Sequence, residues 1–346
     1  MTAPWWHPDR LAARRAKLAA RGRVKRAVRD FFDASGYVEV ETPALQASPG
    51  IEPHLQAFAT VLHDPRDPGG RPRYLHTSPE FAMKKLLVGG MERIWQLAHV
   101  YRNGERGATH HPEFSMLEWY RAGASYRDLM DESEALLRTA QHAAGTDPLR
   151  WRGNRADTNR PWQRLTVVEA FARYAGIDLL ATAPDPQAPD AALLAAETAR
   201  VGIAPHPGDD WETLFFRIFL ERIEPYLGIG APTIVYDYPI SMAALSRRKP
   251  DDHRLAERFE LYVCGLELAN AFGELTDPAE QRRRFVADQA RKQVLYGETY
   301  PIDGDFLAAL DYGLPDCAGI ALGFDRLVML ATGAENIEEV LWAPVM

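Results

Sequence analysis

Arg102 and the alternating set Phe114, Met116, Glu118 and Tyr120 are the first residues here whose types suit chemistry. The spacing predicts a strand over 93–102, a loop over 104–112 and a returning strand over 113–121. Alternate side chains of a strand share a face. One face therefore offers a flat apolar ring, then a carboxylate, then a phenol. Such a face can stack a nucleobase and hold an amine while Arg102 grips a phosphate through two nitrogens. The same residues also suit an ordinary half-buried strand with Arg102 in a salt bridge.

A second stretch, 258–275, reads as a hairpin turning at Cys264-Gly265 and carrying Glu260, Glu267 and Glu274. With that turn Glu267 faces Tyr262, and Glu260 is its diagonal neighbour, about 7–8 Å away. Two carboxylates at that separation can hold a hard divalent cation with phosphates, or else lie in solvent. Glu274 has the opposite parity to Glu267. Both reach one pocket only if a bulge intervenes near 270–273. In a third stretch, Gly319-Ile320-Ala321-Leu322-Gly323-Phe324-Asp325-Arg326, a small-residue strand opens into a helix. Its glycines let a ligand approach the backbone, and Asp325 is placed to cap the helix. Arg326 opposes the helix dipole, so a strong anion nearby would suit it; small-residue packing is the plain alternative. His110 and His111 lie in the 104–112 loop, either solvated or touching a phosphate.

The elements that must position these residues follow from periodicity and punctuation. Val24, Ala27, Val28, Phe31 and Phe32 keep helical spacing up to Ser35-Gly36, and 37–41 alternates as a strand before Thr42-Pro43. Around that first helix run Arg10, Arg14, Arg15, Lys17, Arg21, Arg23, Lys25, Arg26 and Arg29, either a solvated face or a docking patch for an acidic partner. Residues 64–73 read as an exposed hairpin connection and 74–76 as a short strand. Thr77-Ser78-Pro79-Glu80 then caps a helix to about residue 88. A helix over 211–223 follows Asp209-Asp210, and 233–238 is a strand. The polar, proline-spotted stretch 145–208 reads as the least constrained part.

With 346 residues and 46% hydrophobic content the chain can bury a substantial core; at about 150 residues per domain the prior is roughly two domains. Two cysteines exclude a disulfide framework and a four-sulfur zinc site. No apolar run approaches about 18 residues, which argues against a membrane span and for a cytoplasmic setting. A net charge of −8 argues against a broad nucleic-acid footprint. Phosphate-cradling loops, dinucleotide fingerprints and nucleophile elbows are absent from the sequence.

In this order the stretches resemble the three signature motifs of class II aminoacyl-tRNA synthetases: the helix and strand ending at Pro43, Tyr101-Arg102-Asn103 through Phe114, and Gly319 to Arg326. Pro79-Glu80, Glu118 with Tyr120, and Glu267-Leu268-Ala269-Asn270 running to Glu274 resemble the lysine branch. The first helix begins within about thirty residues of Met1, leaving no room for an anticodon-binding OB-fold before it. The chain is therefore most similar to the truncated lysyl paralogues that ligate (R)-β-lysine to elongation factor P, and Ser78 and Ala321 match their two distinguishing pocket positions.

That resemblance implies one α+β catalytic domain over 1–346, an antiparallel sheet flanked by helices, with a variable insert at about 145–208 and a homodimer through the first motif. It implies ATP and Mg²⁺ as cofactors, (R)-β-lysine and elongation factor P as partners, and neither tRNA nor membrane. Arg102, Asn103, Glu105, His110, Phe114, Glu260, Glu267 and Arg326 would bind ATP, with Arg102 and Arg326 catalytic. Arg102 would hold the α-phosphate, Phe114 and Arg326 the adenine, and Glu260 and Glu267 the metal. Ser78, Glu80, Glu118, Tyr120, Asn270, Glu274 and Ala321 would bind the amino acid, Glu80 at its reacting-end amine and Glu274, Glu118 and Tyr120 at its distal ammonium. Two positions depart from the family pattern: Gly104 where a glutamate is usual, and Ala271 where a glycine is usual. A stand-alone lysyl-adenylate former charging tRNA, or a catalytically weak binding paralogue, are the alternatives.

Overall fold

The computed structural model describes residues 4–345. Eight strands form the main sheet. Numbered along the chain they are β1 (Val38–Glu39), β2 (Arg93–Tyr101), β3 (Glu113–Ala122), β4 (Gln163–Thr166), β5 (Thr233–Pro239), β6 (Leu255–Val263), β7 (Leu266–Gly273) and β8 (Cys317–Gly323). Their spatial order is β1-β2-β3-β8-β7-β6-β5-β4. The two edge strands run parallel to their neighbours and the interior is antiparallel throughout. This is the expected α+β sheet.

Among the described residues nine α-helices flank it: α1 (Pro8–Ala34), α2 (Glu80–Val88), α3 (Tyr126–Ala144), α4 (Val167–Ala175), α5 (Ala191–Arg200), α6 (Trp211–Ile218), α7 (Pro278–Tyr296), α8 (Gly304–Gly313) and α9 (Phe324–Thr332). Strand alternation gives the sheet two unlike faces. Trp95, Leu117, Trp119, Phe259, Leu261, Ala271, Ile320 and Leu322 point one way, into a core closed by α1, α3 and α9. The opposite face is covered only at its ends. Residues of α2, α7 and α8 pack on Ile94, Tyr120 and Cys317, while α4, α5 and α6 pack on Val235, Tyr238 and Tyr262. The groove left between these two groups of helices holds the site.

Several expectations need correction. Residues 64–73 are mostly strand: Ala59–Asp64 and Asp67–Leu75 form a hairpin in a separate small sheet. The stretch 145–208 is folded, with a two-stranded hairpin, α4 and α5, and Phe171, Ile177, Leu179 and Leu194 in a buried cluster shared with α6. Helices α7 and α8 occupy a region the periodicity left unassigned.

The basic residues of α1 are not a free docking face. Arg14 donates to the carbonyls of Glu338 (2.9 Å) and Leu341 (3.0 Å), Lys17 pairs with Glu339, and Arg21 is buried against Asp325 and Ser115. Arg23 donates to the last carbonyls of α3, Ala143 and Ala144, where a helix end welcomes a cation. Arg29 pairs with Glu39. Arg15, Lys25 and Arg26 are exposed. Asp325 likewise does not cap α9, whose start carries no side-chain cap. Its carboxylate is buried, pairing with Arg21 and accepting from the Ser115 N–H at 2.7 Å.

Candidate active site

The β6–β7 hairpin turns at Cys264 and Gly265, both at positive φ (58° and 76°), the pair of conformations a two-residue hairpin turn demands. Tyr262 pairs with Glu267 as expected, and Glu260 pairs with Asn270. Between these pairs the register shifts by one residue at Leu268. This extra residue is the bulge the parity of Glu267 and Glu274 required, placed before Asn270 rather than within 270–273. It brings Glu267 onto the same face as Asn270, Phe272 and Glu274. Pairing continues from Asn270 to Ala321 and from Ala321 to Glu118, and from Phe272 to Gly319 and Gly319 to Tyr120. One sheet face thus collects side chains from sequence stretches more than 150 positions apart.

Above this face lies a cavity of about 550 Å³ whose walls include Arg102, Glu105, Phe114, Glu260, Glu267 and Arg326. Ser78, Glu80, His110, Asn270 and Ala321 also line it. The four charged groups on which the nucleotide reading depends therefore share one space. Arg326 donates to the Glu267 carbonyl at 2.8 Å and lies 2.9 Å from His110 Nε2. Burial, then Arg326, holds the His110 imidazole below its ordinary pKa, which favours a neutral ring accepting from the guanidinium. His111 also lines the cavity but is buried: its Nδ1 lies 2.6 Å from the Glu113 carbonyl and its Nε2 accepts the Val345 N–H at 3.1 Å, so both ring nitrogens are engaged in tying down the loop.

Glu260 is held by three donors: Arg258 (2.6 Å) on one oxygen, Tyr238 (2.6 Å) and Tyr262 (2.5 Å) on the other. Burial, then Glu260, pushes Glu267 up to about 7, with Arg326, Arg258 and Arg102 opposing. A half-buried carboxylate beside another carboxylate is a poor arrangement until a cation joins it, so the pair fits a divalent metal with phosphate ligands. Among the described residues no cluster of three metal-ligating side chains exists, so any metal here would take its remaining ligands from elsewhere.

Four expected site residues are placed differently by the structure. Asn103 is exposed and absent from the cavity wall; its backbone pairs with Gln56. Phe114 and Arg326 both line the cavity as expected for a base site, and Phe114 carries Arg102 over its ring, guanidinium carbon 5.3 Å from the centroid. Glu118, Tyr120 and Glu274 lie beneath the cavity floor rather than in its wall, all nearly or wholly buried. The departures from family pattern also find places. Gly104 sits at φ 79°, a left-handed turn that suits glycine, while the next residue, Glu105, lines the cavity 3.9 Å from Arg102. Ala271 points away from the site into the core.

The floor is a compact polar cluster. Ser78 donates to one oxygen of Glu118 (2.6 Å) and Tyr120 to the other (2.8 Å). Lys84 on α2 bridges Glu80 and Glu274, 2.5 Å from each. Burial, then Glu80, pushes Glu118 up to about 7; burial pushes Glu274 up to about 8 against the pull of Lys84. A Cβ on Gly319 would lie 2.2 Å from the Tyr120 ring and 2.4 Å from Glu274 Oε1, so only glycine lets the phenol and the carboxylate meet there. Sequence reasoning missed Lys84, Arg258, Tyr238 and Tyr262. Lys84 reads as the partner of an exposed i,i+4 pair, and Arg258 as a strand terminus.

Two arginines, two carboxylates and an acidic cluster beneath them thus share one groove on a largely antiparallel sheet. Residues 6–346 match the family of class II tRNA synthetases (D, K and N), and the chain belongs to it. It is 40% identical over 344 residues to the elongation factor P–(R)-β-lysine ligase of Vibrio cholerae, covering 99% of each chain, and 41% identical over 336 residues to that of Sodalis glossinidius, covering 97% and 96%. The lysine–tRNA ligase of Pelotomaculum thermopropionicum is 38% identical over 330 residues, which is 94% of this chain but 62% of that protein.

Proposed function

We propose that the protein activates (R)-β-lysine with ATP and transfers it to a lysine ε-amine of elongation factor P. The observation that carries the reading is that Arg102, Arg326, Glu260 and Glu267 wall one cavity directly above the Ser78–Glu118–Tyr120 cluster. End-to-end similarity to ligases of that name favours the acceptor.

In this reading Arg102 neutralises the α-phosphate while the substrate carboxylate attacks phosphorus and pyrophosphate departs. The acceptor amine then attacks the adenylate carbonyl, AMP leaves, and the amine's proton passes to solvent. No side chain forms a covalent bond, so rate comes from orientation and charge placed in advance. Glu260, fixed by Arg258, Tyr238 and Tyr262, and Glu267 would hold Mg²⁺, which supplies charge neutralisation at the phosphates. Phe114 and Arg326 bound the base site, with His110 and Glu105 at its rim. Glu80 takes the reacting-end amine, Glu274 the distal ammonium, and Ser78, Asn270 and Ala321 shape the space between. A homodimer joined through α1 and β1, in the cytoplasm, belongs to the same reading.

Pyrophosphate exchange tests activation. Exchange with (R)-β-lysine at least as good as with α-lysine is expected, and Arg102→Ala should lower it roughly 10²–10³-fold. Offering tRNA and elongation factor P side by side tests the acceptor. Labelled tRNA with unmodified factor would overturn the proposal in favour of the tRNA-charging alternative.

A further inference from the structure

Lys84 is the cation of the floor, and the reaction above gives it no role. It is 1% exposed and shares the cluster with Glu80 on its own helix, Glu118 and Tyr120 on β3, Glu274 after β7, and the Cys317 thiol on β8. Counting carboxylate oxygens is informative. Both oxygens of Glu118 accept from hydroxyls, and Lys84 occupies Oε1 of Glu80 and Oε2 of Glu274. Two oxygens remain without an ionic partner: Oε2 of Glu80, whose residue lines the cavity, and Oε1 of Glu274; neither Glu274 oxygen accepts a hydrogen bond, and the ion pair with Lys84 reaches Oε2 alone.

We propose that Lys84 is a positioning and specificity-determining residue: holding one oxygen of each carboxylate, it leaves the other as a separate ammonium acceptor, that of Glu80 at the cavity wall and that of Glu274 beneath the floor. The floor then selects a substrate with two amino groups set apart along its chain and rejects monoamino acids. Two buried carboxylates and the part-buried Glu80 face one lysine, so the pocket has room for the positive charge of a diammonium ligand. A lone buried carboxylate would take a proton and lose the ammonium instead. Lys84 pulls Glu274 back toward its charged form against burial. The inference rests on the amino-acid activation proposed above.

Lys84→Ala and the stem-preserving Lys84→Met test it by pyrophosphate exchange. Both should raise KM for (R)-β-lysine roughly 10- to 100-fold, with the KM for ATP unchanged. The defect should shrink as pH rises from 7 to 9, because Glu274, pushed up by burial, then ionises without Lys84. Ethylammonium, which fits the space the lysine stem vacates, should restore Lys84→Ala, and its inclusion during purification covers a variant that does not fold alone. A folded variant with wild-type KM, or a KM defect that neither pH nor ethylammonium moves, overturns the inference. Wild-type protein that exchanges with no lysine isomer overturns the functional reading instead.

Discussion

At the scale of single residues, the site is made of ionisable groups held away from their ordinary state. Glu118 is fully buried and keeps its proton up to about 7. As pH rises past the unfolded carboxylate value of about 4.3, the unfolded chain ionises first while folded Glu118 stays protonated. Unfolding then releases a proton, and stability falls until the folded value is passed. Urea unfolding between pH 5 and 7 should therefore show Glu118→Gln losing less stability than wild type, by up to about 1.4 kcal/mol per pH unit; parallel slopes would contradict it. The parity of Phe114, Met116, Glu118 and Tyr120 was readable from alternation alone, because a regular strand has only two faces. The charge state of Glu118 was not, since it depends on Glu80 and Ser78, some forty positions upstream. Lys84 escaped for a related reason: within its helix it has one visible partner, and its second, Glu274, is 190 positions away.

Among elements, α1 is the clearest case of a pattern that means something other than it suggests. Cationic residues at 14, 17 and 21 recur on one helical stripe, which sequence alone cannot distinguish from a wet face. In the structure that stripe is the seam against residues 325–341. Arg21→Ala leaves Asp325 as a buried charge without its cation, and such a loss costs about 3–5 kcal/mol. Chemical unfolding of this variant should show that loss, whereas Arg15→Ala, at an exposed position, should stay within about 0.5 kcal/mol of wild type. Strands β2, β3, β5 and β8 were legible because their apolar alternation is bounded by glycine or proline. The 59–75 hairpin was legible as a hairpin connection but not in its strands, since the glycines and prolines of its second strand read as the connection itself. The Leu268 bulge could be required from parity but not located, because pairing partners decide where the extra residue sits.

For the whole molecule, the groove between α2–α7–α8 and α4–α5–α6 makes the ligand a bridge between two separately packed clusters. A lysine isomer at a hundredfold excess over Kd, added on top of nucleotide, should stabilise the protein by about 2.7 kcal/mol more, read as a rise in Tm beyond that seen with nucleotide and leucine. A Tm unmoved by any lysine isomer would count against the pocket. The seam on α1 carries one more consequence, for the order in which the chain can become protein. Arg21 emerges from the ribosome 304 residues ahead of Asp325. At 5–20 residues per second that is roughly 15–60 s in which the earliest helix waits with its guanidinium unmatched. A nascent chain halted anywhere before residue 325 is thus expected to hold that helix loose and open to protease, however well the sheet behind it has formed.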